Sequence, residues 1–200
     1  MTRIAPLAPD ELPDEVREAF VFAQKTMGFT SNDMLTMARW PELLGAFEQM
    51  IGVIYGSSEV DLTLKRMVAM VASAAAGCRY CEAHTAHGAA KMAGADTAKI
   101  AAVWAYQTSA LFSEAERAAL DLAFAAGQQP NAATDAHFER LQRHYSERQM
   151  IEIVAMISLF GFLNRWNDTL ATTLEEAPLS FARENLSDSG WEPGAHAPSD

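Results

Sequence analysis

Apolar residues recur every three or four positions along most of the chain, and sustained period-two alternation is absent, so the pattern predicts helices and no sheet. In PELLGAFEQMIGVIYG, the residues Leu43, Leu44, Phe47, Met50, Ile51 and Ile54 share one helical face behind Pro41, which suits a first turn. A helix is expected before it, from about Leu12 to Met27, with Pro13 in its first turn and Gly28 ending it. Gly56, Ser57 and Ser58 make a break, and the next helix runs from about Asp61 to Ala76. Gly77 interrupts the apolar run, another helix spans about Cys78 to Ala93 ahead of Gly94, and a short one begins at Asp96. Ser113 with Glu116, and Ser146 with Gln149, fit capping boxes that open two more helices, with GQQPNAAT at 127–134 as a surface turn between them. The expected class is all-α: one helical domain over residues 1–186, then a polar Pro- and Gly-rich tail, 187–200, pinned to the body by Trp191.

A repeat adds to this picture. At an offset of 86 residues Val68, Ala69 and Met70 match Val154, Ala155 and Met156, while Cys78, Arg79 and Tyr80 fall on Asn164, Arg165 and Trp166. The match predicts an internally duplicated helical unit with chemistry in the first copy only, leaving Arg165 and Asp168 to structural contacts.

The chemistry centres on the chain's two cysteines, Cys78 and Cys81, in GCRYCEAHTAHGAAKMAG. Thiols three apart can close a strained, reducible disulfide but cannot staple distant segments. In a first helical turn, free backbone N–H groups and the helix dipole favour thiolate, most strongly for Cys78, the thiol nearer the terminus. His84 lies three residues beyond Cys81, within reach of it on a helix, and His87 follows. Three other readings compete. The cysteines could be packing residues. Zinc would need Cys78, Cys81, His84 and His87 to converge, although Cys78 and His87 face opposite sides of one helix. Covalent haem would need His where Glu82 stands. Glu82 points about 100° from Cys81 and reads as a solvated residue, Tyr80 as packing that shields the thiols. Met67, Met70, Phe160 and Phe162 read as core or subunit interface, His137 and His144 as surface.

Charge and hydropathy narrow the partners. A net charge of −11 repels phosphate backbones and anionic lipid heads, so neither nucleic acid nor a membrane surface is an expected partner. The opening MTRIAPLAPDELPDEV has no apolar signal core, and the apolar stretches at 67–78 and 150–163 fall short of a bilayer span. The expected location is the cytoplasm, where a CxxC pair is catalytic or redox-sensing rather than structural.

The run LKRMVAMVASAAAGCRYCEAHTAHGAAKMAG resembles the core of the AhpD-like alkylhydroperoxidase and carboxymuconolactone decarboxylase superfamily. PDEVREAF, GFTSNDMLTMARWPELLGAF, NRWNDTLATTLE and GWEPGAH resemble its peroxidase-related branch. The resemblance implies an AhpD-like helical fold, homo-oligomers (dimer, trimer or hexamer) and reduction of organic hydroperoxides by a dithiol, without metal or flavin. An external dithiol of lipoyl or thioredoxin type would reset the pair. It also implies that Cys81 is peroxidatic and Cys78 resolves it, with His84 as the third catalytic candidate. Two positions depart from the family pattern: Arg66 stands where the family relay has Glu, and Thr85 stands where its His often lies. An Arg cannot accept a proton, though its charge can lower a thiol's pKa. The alternatives are a redox-sensing oligomeric binding protein without turnover and a carboxymuconolactone decarboxylase-like enzyme, which has no need of a CxxC.

Overall fold

A computed structural model describes residues 2–56 and 58–198, so Ser57 of the expected break lies outside the described residues. These residues form α1 (Asp14–Met27), α2 (Asn32–Met37), α3 (Pro41–Tyr55), α4 (Leu62–Ala76), α5 (Arg79–Met92), α6 (Thr97–Ala101), α7 (Glu114–Gly127), α8 (Asp135–Leu141), α9 (Glu147–Leu170) and α10 (Glu176–Leu186). The fold is all-α, and among the described residues no helix is long and apolar enough to cross a membrane.

Helix α4 is the hub, packed on α5, α7 and α9. Its residues 67–72 are apolar all round and buried, as a helix enclosed on every side must be. Small side chains let α7 close on it, since a Cβ at Gly127 would lie 2.5 Å from the Ala72 carbonyl oxygen. The Asp61 carboxylate caps α4 by accepting from the amides of Thr63 and Leu64, and Gly77 ends it at φ 86°. Lys65 on α4 is buried against α9, its Nζ 3.3 Å from Glu152 and donating to the Ile54 carbonyl at 2.5 Å. Glu152 also accepts from the Ser58 hydroxyl and the Val60 amide, so the pair ties the α3–α4 connection to α9.

Both capping boxes form, at Ser113 with Glu116 and at Ser146 with Gln149. Helix α1 starts at Asp14, so Pro13 is its N-cap rather than part of its first turn; Gly28 closes it at φ 80°. Helices α2, α8 and α10 are additions to the expected set. The two segments aligned by the repeat fold differently: the first breaks at Gly77 between α4 and α5, whereas the second runs unbroken through Asn164–Trp166 inside α9. Beyond Leu186 the chain is held at two buried residues, Trp191 and His196, and the Leu174 amide donates to the His196 carbonyl at 2.9 Å.

Candidate functional site

Gly77 in the left-handed region lets the chain leave α4 and restart at once as α5, a turn that a side chain would strain. Cys78 becomes the N-cap of α5, and Cys81 sits in its first turn. Both thiols are free and buried. They have different neighbours. The Asn167 amide of α9 lies 3.4 Å from Cys81 Sγ and donates at 3.2 Å to Asp33 Oδ2 of α2. Cys78 turns towards the chain's far end, where its sulfur, an Asp168 oxygen and a His196 ring nitrogen all lie within 4.8 Å of one another.

His196 Nδ1 donates to the Thr172 carbonyl at 2.7 Å, which directs Nε2 to Asp168 Oδ1 at 3.1 Å, with the Cys78 sulfur within 4.8 Å of the ring. Against the effect of burial, these partners push the His196 pKa up to about 9, so it is an imidazolium at neutral pH. The Cys78 thiol is held below its usual range by the Cys81 thiol's hydrogen bond and, against burial, by His196. Burial and the adjacent Cys78 push the Cys81 thiol well up. Cys78 is therefore the more acidic thiol of the pair, in the direction that the helix-terminus argument predicts. Cys78, Asp168 and His196 are also the His, Cys and carboxylate set closest to metal-ligand spacing among the described residues.

A second polar cluster lies on the other side of Tyr80. His84 Nε2 meets Glu175 Oε2 at 2.5 Å, and Glu175 also accepts from the Tyr80 hydroxyl at 2.8 Å and from the Asn32 amide. Tyr80 stacks on His84 with ring centroids 4.3 Å apart, and its oxygen accepts from the Asp33 amide. Burial opposes charge here, yet Glu175 and Asp33 hold the His84 imidazole above its ordinary value, and His84 holds the Glu175 carboxyl below its own. Burial pushes the Asp33 carboxyl up and, with the two carboxylates, pushes Tyr80 well up.

Both clusters stand behind a pocket of about 1060 Å³ walled by Phe20, Phe29, Met34, Ile51, Phe160 and Leu163. Cys81 and His84 line it and Cys78 does not. The predicted residues Cys78, Cys81 and His84 thus gather at one place, but His84 engages a carboxylate rather than the Cys81 sulfur. His87 stands in the pocket wall between Phe29 and Phe181. Glu82 corrects an expectation: it is buried, not solvated, and pairs with Arg79 at 2.9 Å. His137 and His144 are on the surface as expected. Asp33, Asn167, Glu175 and His196 were not singled out from sequence, since each arrives from a segment distant in the chain from the cysteines. The one signal was that the segments carrying them resemble the superfamily.

Helices gathered on α4, with a free dithiol at the start of α5 and an apolar pocket over one sulfur, define a helical dithiol protein. Residues 41–125 match the carboxymuconolactone decarboxylase family, and the chain shares the helical fold of AhpD-like proteins. It is similar to the debrominase Bmp8 at 38% identity, covering 92% of this chain and 98% of that one, with a TM-score of 0.84. A cysteine-to-alanine variant of Bmp8 in complex with 2,3,4-tribromopyrrole matches at 37% identity over 92% of this chain and 97% of that one, also with a TM-score of 0.84. An uncharacterized peroxidase-related protein from Ralstonia eutropha shares the fold at 22% identity, covering 99% of this chain and 98% of that one, TM-score 0.79. The uncharacterized protein YnjA of Escherichia coli is 30% identical over 113 residues, 56% of this chain, and the match spans 62% of YnjA's length.

Proposed function

We propose that this protein is a dithiol-dependent reductase of apolar organic substrates, in which Cys81 attacks an electrophilic atom in the pocket and Cys78 then closes the disulfide. The observation that carries the reading is the asymmetry of the pair: Cys81 faces the pocket, while Cys78 lies behind it against His196. Cys78, the more acidic thiol, takes up the Cys81 proton when it is itself ionised, and the new Cys81 thiolate attacks. His84, whose imidazole Glu175 and Asp33 hold above its ordinary value, stands on the pocket side, where its protonated form can protonate the group that departs.

Two bonds fit this cycle. With an organic hydroperoxide, Cys81 takes the terminal oxygen as a sulfenic acid and the alkoxide leaves as alcohol. Cys78 then displaces water, so the sum is hydroperoxide plus dithiol giving alcohol, water and disulfide. With a halogenated aromatic ring, Cys81 takes the halogen, the ring carbon takes a proton, and Cys78 expels halide, leaving disulfide, hydrogen halide and the reduced ring. The second version is favoured by the similarity to the debrominase Bmp8 along nearly the whole chain. In both the dithiol supplies the two electrons, and an external dithiol of lipoyl or thioredoxin type restores it.

The test is single-turnover mixing of the reduced protein with cumene hydroperoxide and, separately, with 2,3,4-tribromopyrrole, counting free thiols, bromide and products. The expected result is loss of both thiols with one equivalent of alcohol or bromide, abolished in Cys81→Ser with the helical circular dichroism intact. Thiols inert to both reagents would overturn the reading and favour a sensing or decarboxylase-like role.

A further inference from the structure

Within the same pocket, two polar groups have unmet hydrogen-bonding capacity. Arg66 Nε and the Tyr55 hydroxyl are both buried without a partner, and the guanidinium carbon lies 4.4 Å from the Tyr55 ring centroid. Unpartnered buried donors are rare in folded proteins, and two side by side in one cavity require an explanation. Gly88 makes room for this guanidinium, since a Cβ there would stand 2.8 Å from Arg66 Nη1. Among the described residues no carboxylate lies within ion-pair distance of Arg66, although Asp33 and Glu48 line the same pocket. Lys25 and Lys91 add further positive charge to the lining of a pocket in a chain whose net charge is −11. Tyr55 and Arg66 line the same pocket as Cys81, so both donors share a cavity with the reacting sulfur.

We infer that the pocket takes an apolar compound bearing an anionic group, which Arg66 and the Tyr55 hydroxyl bind together while the aromatic and aliphatic walls hold its body. This substrate class deepens the reductase reading and rests on the pocket being the substrate site. Arg66 Nη2 already donates to Met92 Sδ at 3.3 Å, and an anion would give Nε its missing acceptor through a charge-assisted hydrogen bond, with the Tyr55 hydroxyl as a further donor to the same group. Arg66 would then orient the substrate at Cys81 rather than serve as a proton relay.

The test is binding, independent of turnover. 1-Anilinonaphthalene-8-sulfonate and the sulfonate-free N-phenyl-1-naphthylamine share one ring system, so the ratio of their affinities isolates the anionic group. Wild-type protein should prefer the sulfonate by about tenfold, the size of one charge-assisted contact. Arg66→Gln should abolish the preference, and Tyr55→Phe should reduce it severalfold. Bound sulfonate should also slow alkylation of Cys81 by iodoacetamide. Equal affinities in the wild type, absence of sulfonate binding, or a preference surviving in folded Arg66→Gln would overturn the inference. Failed turnover with either proposed substrate would leave it standing.

Discussion

Replacing Glu175 by glutamine tests the electrostatic design of the pocket side of the site. Glu175 accepts from the Asn32 amide, the Tyr80 hydroxyl and His84 Nε2. A glutamine carbonyl can keep the first two, but a neutral amide no longer offsets the desolvation of a charged imidazole, so the His84 titration moves down and the ion pair is lost. Breaking a buried ion pair by removing one partner costs about 3–5 kcal/mol. The two bonds that glutamine retains reduce this to about 2–3 kcal/mol. For a chain of this size each kcal/mol moves Tm by about 2–4 °C, so the variant should melt about 4–12 °C lower near pH 6. The pH dependence follows from the directions of the two shifts. The raised His84 stabilises fully below the unfolded imidazole value of about 6.5, and that stability is lost as pH rises through the folded value. The depressed Glu175 stabilises above about 4.3 and loses its effect as pH falls through its folded value. The gap between wild type and Glu175→Gln should therefore be widest near pH 6 and narrow by pH 9.5. Melts monitored by circular dichroism at both pH values, with His84 titrated by NMR, check it. An equal gap at both pH values, or an unmoved His84 titration in the variant, would refute the reasoning.

Three further outcomes follow from the packing. Against burial, the Ser58 hydroxyl and Arg148 lead the groups that hold the Glu152 carboxyl at about 2, so Glu152→Gln leaves Lys65 buried and unpaired. It should cost about 3–5 kcal/mol in urea unfolding at pH 7, a difference that shrinks towards pH 2 as the wild-type carboxylate is itself protonated. Gly127→Ala drives a Cβ into the Ala72 backbone and should lose about 1–3 kcal/mol by the same assay. Gly88→Ala meets only the flexible end of Arg66, so it should keep the fold, gain up to about 1 kcal/mol of helix propensity and weaken sulfonate binding by displacing the guanidinium.

Local signals account for what the sequence made legible. Asp61, Ser113 and Ser146 cap their helices through bonds spanning two or three residues, and Gly28 and Gly77 end theirs in the left-handed region, so these boundaries could be read directly. Helices α2 and α8 have six and seven residues, too few to establish a period, and their formation depends on tertiary contacts. At the site, the dithiol was legible from spacing, as was the lower pKa of Cys78 from helix position. The acid–base partners were not, because Asp33, Glu175 and His196 each come from a separate segment and no periodicity records that they meet. Glu82 was misread because sequence shows a charge but not Arg79 folding over it.

Besides the Cys81 thiol, two features favour the Cys78 thiolate, and the sequence alone could not separate them: the start of α5, and a cation delivered from residue 196. Geometry distinguishes their roles. A helix terminus contributes about 0.3–1 kcal/mol at an ordinary site, whereas an opposite charge in direct contact lowers a pKa by about 1–3 units. His196 is fixed in the second role, since its Nδ1 is committed to Thr172 and the Nε2 proton faces Asp168, with the Cys78 sulfur within 4.8 Å of the ring. The other charged neighbours of Cys78 are His84, which adds positive charge, and Asp168, which opposes the thiolate but keeps His196 protonated. In a Cys81→Ser background only Cys78 titrates, and a serine hydroxyl can still donate to it. Adding His196→Gln, whose amide can still donate to the Thr172 carbonyl, should move the thiolate absorbance midpoint at 240 nm to higher pH by about one unit or more. An unchanged midpoint in the folded double variant would assign the charge to the helix terminus. His196 would then be a structural clasp for the end of the chain, and Cys78 would receive the Cys81 proton without its help.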